Sequence, residues 1–537
     1  SRTLLALRWF VLGFLRSHKI SRNMLFIILG VELAIIVGIA CCLWFESASP
    51  RPLQAFPYDD SYITLVIARD TRSRGLLPSY MDGPTTAATG PLYVYLLIVI
   101  SQAVGDIILG AKILGILIHC VLILTVFLFA RKYFSNLVAL LSCILVAFNG
   151  FLVREALASL ETELFATLII VALHFYVKGR EKTGFPWFAI PVGMSYYARP
   201  EAAIFAGAIL LDQIILIMRR RSSGLLRRVV EYCLVFALII LPIVAYNYSV
   251  SGWPFPSSSR EKWLFHQMQL VPLPEKIVKM SDELFSYFLG YQVPLLLFVI
   301  LAKPKRQFTR VVILSVTGIL TLYLFTLAWV GFWGRYMNFT IPFIAMYASD
   351  GFQNLCEARL RNSVSMKYLR LPKYGPAMLF LLLIIGSSAV ATLDIRKTYS
   401  DDTNWVDNNL RVVALWIREW TPENITIVGH DAGLIAWECK PRKFIDFTGL
   451  AQPEAMPYVL NDSIFEYIVK KRPDYLVMYK SWDTLAHILS KNPEMFEQIL
   501  VAPQTDYTLY KIHWDKLHIA YAERAELRES TFNYTSG

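Results

Sequence analysis

Apolar segments of membrane-spanning length recur along the whole chain, and they constrain its fold more than any other feature. Residues 24–45, 107–130, 229–246 and 311–330 are each close to such a segment, since a helix needs about 20 apolar residues to cross a bilayer. A cleaved signal peptide would supply one apolar segment at the N-terminus, not a series. We therefore predict a polytopic α-helical membrane protein.

Composition and charge support this prediction and exclude a nucleic-acid partner. Charged residues are 17% of the 537 residues, whereas soluble domains average about 25%. The mean hydropathy is +0.46. The net charge is +11, but the basic residues lie in short runs between apolar segments, which is typical of loops that set membrane topology. The seven cysteines show neither a disulfide framework nor a CxxC metal site.

The basic runs also orient the predicted helices. With the N-terminus in the cytoplasm and about 11 crossings, most Lys and Arg residues of the loops fall on the cytoplasmic side. Residues 91–104 are too short for a full crossing and are taken as an interfacial helix. We predict a transmembrane module at residues 1–392, with a catalytic outer loop at residues 46–105, and an extracytoplasmic domain at residues 393–537.

The polar C-terminal part has the pattern of a small α/β domain. Residues 413–420 and 463–471 are predicted helices, and residues 425–428, 475–479 and 507–512 are predicted strands. A domain of this kind packs helices against a sheet.

The first outer loop contains the most informative charges. Tyr58, Asp59 and Asp60 open an amphipathic stretch, and the helix dipole keeps acids at a helix start ionised. Consecutive residues on a helix diverge by about 100°, so the two carboxylates should face different partners. One could act on a substrate hydroxyl while the other caps the helix or holds an arginine. Taken alone, the pair is more simply a helix cap and a solvated acid.

Further charges lie where other predicted spans end on the outer side, and charges near membrane depth commonly mark function. A carboxylate base beside several Arg and Lys suits transfer chemistry on a phosphorylated substrate. The candidate catalytic residues are Asp59 and Asp60. The candidate substrate-binding residues are Tyr58, Arg69, Arg154, Glu161, Arg199, Glu201, Arg260, Lys262 and Arg335.

These motifs together resemble a known family. The segments that carry the resemblance are residues 59–64, 68–69, 75–76, 90–92, 160–165, 198–202 and 334–336, with 429–433 and 446–450 in the C-terminal part. In order and spacing they resemble the GT-C membrane glycosyltransferases, in particular the terminal arabinofuranosyltransferase of the mycobacterial cell wall and related bacterial enzymes.

The resemblance implies an inverting transfer of a sugar from a polyprenyl-phosphate donor to a glycan, lipid or protein acceptor outside the cytoplasm. It implies Asp59 as the catalytic base, with Asp60 in support. It also implies that Arg199 and Arg335 hold the carrier phosphate. Residues 65–67 and 79–89 depart from the family pattern, so the resemblance leaves the sugar open among arabinofuranose, another pentose and a hexose.

The remaining implied contacts concern the sugar and a metal ion. Glu161 and Glu201 would bind sugar hydroxyls. The chain has no GxxxxGK loop or Gly-rich dinucleotide turn for a nucleotide sugar. No metal site or cofactor is assigned, although a divalent cation that bridges Asp59 or Asp60 to a phosphate is compatible with hard oxygen ligands.

Two other functions remain open. A transporter or flippase for a lipid-linked or anionic solute should show charges at mid-span and inverted repeats. A non-catalytic membrane subunit should tolerate the loss of a single carboxylate. The pair His430-Asp431 is interpreted as a turn that packs the C-terminal domain onto the membrane part.

Overall fold

In a computed structural model of the protein, long helices dominate the first three quarters of the chain. The structure describes residues 22–75, 77–81, 83–268, 272–303, 308–327, 332–361, 375–481, 489–490 and 493–517. The first helices are α1 (Arg22–Glu46), α2 (Asp59–Arg74), α3 (Pro91–Val104), α4 (Ile107–Tyr133), α5 (Asn136–Ala147), α6 (Gly150–Leu157), α7 (Thr162–Gly179), α8 (Ala189–Ala198), α9 (Ala202–Arg220) and α10 (Ser223–Ser251). The two-residue strands β1 (Ser79–Tyr80) and β2 (Gly83–Pro84) pair antiparallel between α2 and α3.

The second half of the helical part is more irregular. Its helices are α11 (Ser257–Met268), α12 (Leu273–Leu284), α13 (Gly290–Val299), α14 (Thr309–Thr326), α15 (Ile341–Arg361) and α16 (Gly375–Val406). A π-helical turn (Phe285–Leu289) joins α12 to α13, and a 3₁₀ segment (Phe332–Thr340) precedes α15.

The polytopic membrane architecture predicted from the sequence is confirmed. Among the described residues, α1, α4, α7, α9, α10 and α14 are long and apolar enough to cross a bilayer. Helices α5 and α6 add a seventh span if they are counted as one bent unit, with an angle of 55° between them. The predicted count of about 11 crossings stays a prediction.

Two local features explain where these helices break. Asn149 accepts a hydrogen bond from the Leu152 amide and caps the start of α6, so the chain starts a new helix there after the end of α5. Helix α3 has only 14 residues and stops at Gly105, whose left-handed backbone (φ 84°) suits glycine. Its length agrees with the prediction that it does not cross the membrane.

A buried ionic network fixes the outer end of α1. Lys112 and Tyr399 are fully buried and Glu46 is 2% exposed. The Lys112 ammonium donates to Glu46 at 2.6 Å and to the backbone carbonyls of Ala55 and Leu157. The Tyr399 hydroxyl donates to the same Glu46 oxygen at 2.6 Å. One ammonium thus joins α1, α4, α6, α16 and the outer loop.

The C-terminal domain contains a five-stranded mixed sheet. Its elements are α17 (Val412–Trp420), β3 (Thr426–Gly429), α18 (Leu434–Glu438), β4 (Lys443–Asp446), α19 (Met456–Leu460), α20 (Ile464–Lys471), β5 (Tyr475–Tyr479), β6 (Phe496–Val501) and β7 (Tyr507–Ile512). The strand order is β4-β3-β5-β7-β6. Strands β4, β3 and β5 are parallel, and β7 pairs antiparallel with both β5 and β6.

The predicted α/β class of this domain is confirmed, with two strands more than the sequence indicated. Strands β5 and β7 lie where they were predicted, whereas β4 and β6 were not predicted. Helix α16 runs without a break from the membrane part to Val406. The predicted boundary between residues 392 and 393 therefore falls inside one continuous helix.

The ionic network around Lys112 makes a prediction about stability. We expect Lys112→Met to lower the free energy of unfolding by about 3–5 kcal/mol, because Glu46 keeps its burial and loses its counter-charge. The matched control is Arg227→Gln, which removes an exposed pair with Glu231 and should change stability by less than about 1 kcal/mol. Denaturant titration in detergent micelles measures both. Equal effects would contradict the prediction.

Candidate active site

Helix α2 points its two acids in different directions. Tyr58 precedes the helix in an extended conformation (φ −136°, ψ 147°), and Asp59 and Asp60 occupy its first turn. The Asp59 carboxylate faces the C-terminal domain, where it accepts hydrogen bonds from Gly433 and Leu434. The Asp60 carboxylate faces a cavity on the other side. The predicted divergence of the pair is present in the structure.

The cavity collects residues that are far apart in the sequence. Four of the predicted site residues line it, namely Asp60, Glu161, Lys262 and Arg335. They come from the start of α2, the start of α7, helix α11 and the 3₁₀ segment. Uncharged side chains form the remaining wall, both apolar ones such as Ile63 and Leu160 and polar ones such as Thr64. The cavity volume of about 50 Å³ holds a few water molecules.

A glycine makes room for the acid on the far wall. A Cβ atom at Gly90 would lie 2.7 Å from the Glu161 Cγ and 2.6 Å from the Ala198 carbonyl oxygen. No side chain fits there without displacing Glu161. The close approach of the backbone at Gly90 therefore brings α3 and α7 together at the cavity.

Positive charge governs the ionisation of Asp60. The Arg335 guanidinium donates to the Asp60 carboxylate at 2.7 Å. Desolvation opposes ionisation of Asp60, but the charges of Arg335 and Lys262 outweigh it and hold the pKa of Asp60 below its ordinary value. Asp60 is therefore ionised at neutral pH, with 40% of its side chain still exposed.

The ring of Tyr58 contacts two guanidinium groups next to the cavity. The Arg335 guanidinium lies 5.5 Å and the Arg154 guanidinium 4.9 Å from the centre of the Tyr58 ring. These distances are those of cation–π contacts. Arg154 is 1% exposed and also pairs with Asp402 on α16. Arg154 thus contacts the Tyr58 ring and Asp402 and does not line the cavity.

Arg199 and Glu201 form a layer behind Glu161. Arg199 lies 2.9 Å from Glu201 and 4.0 Å from Glu161. The Tyr323 hydroxyl donates to Glu201 at 2.7 Å. Desolvation raises the pKa of Glu201, but Arg199 outweighs it and the net shift is downward. Arg199 and Glu201 therefore do not line the cavity, and Arg199 is connected to it through Glu161.

Two predicted residues lie away from the cavity. Arg69 pairs with Asp70 at 2.9 Å and stacks over Trp437 of the C-terminal domain at 5.2 Å. Arg260 stacks over Trp253 at 5.3 Å and donates to the Ser251 carbonyl. The structure therefore places Arg69 at a domain contact and Arg260 beside the end of α10.

Sequence reasoning missed several cavity residues because they carry no charge. Thr89 and Ser258 line the cavity and share a hydrogen bond of 2.9 Å. Leu450 of the C-terminal domain also lines the cavity. Only Ser258 had a usable signal, since it lies four residues before Lys262 on α11 and shares its face.

Asp59 connects the outer loop to the C-terminal domain. Its two oxygens accept from the amides of Gly433 and Leu434 at 2.8 and 2.7 Å. A Cβ at Gly433 would lie 2.2 Å from the Asp59 carbonyl oxygen, so only glycine permits this approach. The Tyr80 hydroxyl donates to the adjacent Ala432 carbonyl at 2.6 Å. The turn that begins at His430 therefore packs onto the loop, as the sequence predicted.

The same contact contains a second acid. Desolvation and the Asp431 charge raise the pKa of Asp59 well above its ordinary value. Desolvation, with the charges of Asp60 and Asp446, raises the pKa of Asp431 to about 7. Desolvation lowers the pKa of His430 to about 3, so this imidazole is neutral. The contact is therefore rich in acids and has no charged histidine.

No metal centre is apparent in the part of the chain that the structure describes. There, no group of three or more His, Cys, Asp and Glu side chains is placed to hold a metal ion. The compatibility of Asp59 or Asp60 with a bridging divalent cation stays a prediction.

Family models match two parts of the chain. One, described as dolichyl-phosphate-mannose-protein mannosyltransferase, matches residues 88–246. The other, described as a domain of unknown function, matches residues 398–532. Each covers less than half of the chain. No curated protein matches it.

Solved membrane enzymes share the architecture over most of the chain. ArnT from Cupriavidus metallidurans is 14% identical, with a TM-score of 0.53, over 93% of this chain and 100% of ArnT. The oligosaccharyltransferase AglB from Archaeoglobus fulgidus is 13% identical, with a TM-score of 0.55, over 93% of this chain and 75% of AglB. The chain has the GT-C glycosyltransferase fold.

The predicted resemblance to the GT-C superfamily is thus confirmed at the level of the fold. The arabinofuranosyltransferase AftD from Mycobacteria overlaps less well with this chain, with a TM-score of 0.45 at 12% identity over 92% of this chain and 40% of AftD. This overlap is too low to identify the sugar.

The acids at the domain contact predict a pH effect. Because the folded-state pKa of Asp431 is raised to about 7, the docked state binds the proton more tightly than the undocked state, and docking weakens as pH rises from about 5 to about 8. Hydrogen-exchange protection of the Gly433 and Leu434 amides, corrected for intrinsic exchange, should fall over this range. Asp431→Asn should reduce the pH dependence, and the part that remains belongs to Asp59, because desolvation still raises the pKa of Asp59 in this variant. A pH-independent wild-type profile would contradict the prediction.

Proposed function

We propose that this protein is a GT-C glycosyltransferase that moves a sugar from a polyprenyl-phosphate donor to an acceptor hydroxyl outside the cytoplasm. The observation that carries the proposal is the cavity in which an ionised Asp60 lies beside Lys262 and Arg335. This cavity lies where membrane helices meet the C-terminal domain. We propose that a lipid-linked donor enters it from the bilayer and an acceptor from the aqueous side.

The cavity has the groups that a direct displacement requires. The carboxylate accepts the proton of the acceptor hydroxyl as its oxygen attacks the anomeric carbon. The bond between that carbon and the phosphate oxygen breaks, and the polyprenyl phosphate leaves with the electron pair. Lys262 and Arg335 stabilise the charge that develops on the phosphate. A single displacement inverts the anomeric configuration.

The geometry favours Asp60 as the member of the pair that contacts the acceptor. Asp60 lines the cavity, whereas both Asp59 oxygens accept backbone hydrogen bonds from Gly433 and Leu434. Family resemblance assigns the base to Asp59. We propose that Asp60 takes the proton and that Asp59 holds the C-terminal domain against α2.

Arg199 and Glu201 support Glu161 in the part of the cavity that we assign to the sugar. Glu161 reaches the cavity directly, and Arg199 lies behind it with Glu201. We propose that Glu161 binds a sugar hydroxyl and that Arg199 and Glu201 fix its orientation. In this arrangement the donor phosphate contacts Arg335 and Lys262, and Arg199 has a supporting part.

Two solved structures of the same fold support a polyprenyl carrier. One is ArnT bound to undecaprenyl phosphate, and the other is AglB in complex with an inhibitory peptide and a dolichol-phosphate. We propose a donor of this lipid-phosphate class that carries a pentose, such as arabinofuranose, or a hexose. The acceptor is a glycan, lipid or protein. A transporter or flippase is less well supported, because the charged cluster lies at helix ends and not at mid-span.

The role of Asp60 is tested by sugar transfer in vitro with defined polyprenyl-phosphate pentoses and hexoses. We expect Asp60→Asn to lower kcat by about 10²–10⁴-fold, the usual contribution of a general base. Asp59→Asn should lower kcat less than Asp60→Asn. Asp401→Asn, on an exposed acid of α16, is the control and should retain wild-type turnover.

Three results would count against these assignments. If Asp59→Asn loses as much activity as Asp60→Asn while the C-terminal domain stays docked, the base is Asp59. If neither change lowers turnover, no carboxylate of the pair is the base. If no lipid-linked pentose or hexose is used, the transporter hypothesis gains.

The outer location of the site has a separate test by cysteine labelling in intact cells. In a variant without native cysteines, Glu423→Cys in the C-terminal domain should react with a membrane-impermeant maleimide. Arg221→Cys, at the end of α9, should react only after permeabilisation, because the positive-inside rule predicts a cytoplasmic location for the basic runs. Labelling of Arg221→Cys in intact cells would reverse the proposed orientation.

A further inference from the structure

A second cavity lies at the opposite end of the membrane helices from the candidate active site. Helix α7 starts beside Glu161, which lines the first cavity, and ends at Gly179, which lines the second. Its 18 residues separate the two cavities by about 27 Å, at 1.5 Å per residue. The second cavity has a volume of about 340 Å³. It cannot contribute atoms to the reaction proposed above.

The polar wall of this cavity is entirely basic. Lys178, Lys182 and Arg228 line it, and no acid does. Arg228 is 2% exposed, and its guanidinium donates to the carbonyls of Gly179 and Lys182. Its Nε has no acceptor among the described residues. The backbone therefore fixes a buried guanidinium at the base of the cavity.

The acids at this end of the structure are committed to other cations. Glu181 pairs with Arg220 at 2.9 Å, and Glu231 pairs with Arg227 at 2.8 Å. In the part of the chain that the structure describes, no acid pairs with the two cavity lysines. The cavity therefore has three cations, two of which are lysines that pair with no acid in the described residues, and this arrangement suits a phosphate group.

Three exposed aromatic side chains line the same cavity. Phe175, Phe185 and Trp187 line it and are 42%, 45% and 64% exposed. Aromatic side chains at helix ends are typical of the bilayer interface. An acyl chain can therefore contact these exposed rings while its headgroup reaches the cations.

We propose that this cavity binds the phosphate of an anionic phospholipid from the leaflet opposite the candidate active site. Lys178, Lys182 and Arg228 hold the phosphate, and Phe175 and Trp187 contact the glycerol and the upper acyl chain. Free phosphate could satisfy the cations but would leave the aromatic rim unoccupied. Basic recesses at the cytoplasmic ends of membrane helices suit such headgroups.

The test measures retention of defined lipids by the purified full-length protein with native mass spectrometry. Dioleoyl-phosphatidylglycerol, dioleoyl-phosphatidylcholine and inorganic phosphate are added separately in detergent. We expect wild type to retain one phosphatidylglycerol in preference to phosphatidylcholine. The double variant Lys178→Gln/Lys182→Gln should bind phosphatidylglycerol about thirtyfold more weakly, if each lysine contributes as cations near an anionic headgroup do.

The matched control is Arg219→Gln/Arg221→Gln, which removes two exposed cations at the end of α9 and should leave retention within about threefold of wild type. Trp187→Ala should weaken phosphatidylglycerol and leave inorganic phosphate unaffected. The proposal is overturned if the two lipids bind equally, if the lysine variant retains phosphatidylglycerol as wild type does, or if millimolar phosphate displaces the lipid completely.

Discussion

The hydrogen bonds from the Gly433 and Leu434 amides to Asp59 determine how the two parts of the molecule meet. They join the first turn of α2 to the start of α18, and they require a residue without a side chain at position 433. The contact also fixes the rotation of α2 about its axis. Once Asp59 is held, the side chain of the next residue has to take a different direction, and Asp60 enters the cavity beside Arg335.

Two adjacent acids can therefore have opposite ionisation behaviour. Desolvation and a neighbouring carboxylate make Asp59 hard to ionise, whereas the two cations around Asp60 overcome its desolvation. The chemical identity of the residues is the same, and their partners make the difference. A repeated acid in a sequence says nothing by itself about which member can act as a base.

The sequence predicted features that depend on local pattern and missed those that depend on long-range packing. The apolar segments and strands β5 and β7 have strong periodic signals. Strand β4 is a four-residue stretch, and β6 is mostly exposed, so neither has a clear apolar pattern. In the site, the charged residues Glu161, Lys262 and Arg335 were found because charge is rare near the membrane. Leu450 reaches the cavity only because the C-terminal domain folds back, which no local pattern reports.

Helix α16 has a mechanical consequence. Its 32 residues extend about 48 Å, whereas the hydrocarbon core of a bilayer is about 30 Å thick. The helix is therefore longer than the hydrocarbon core by about 18 Å, or about three turns. Those turns carry the chain as one continuous helix out of the membrane part, so the C-terminal sheet is joined to the membrane part by a rigid connection and not by a loop.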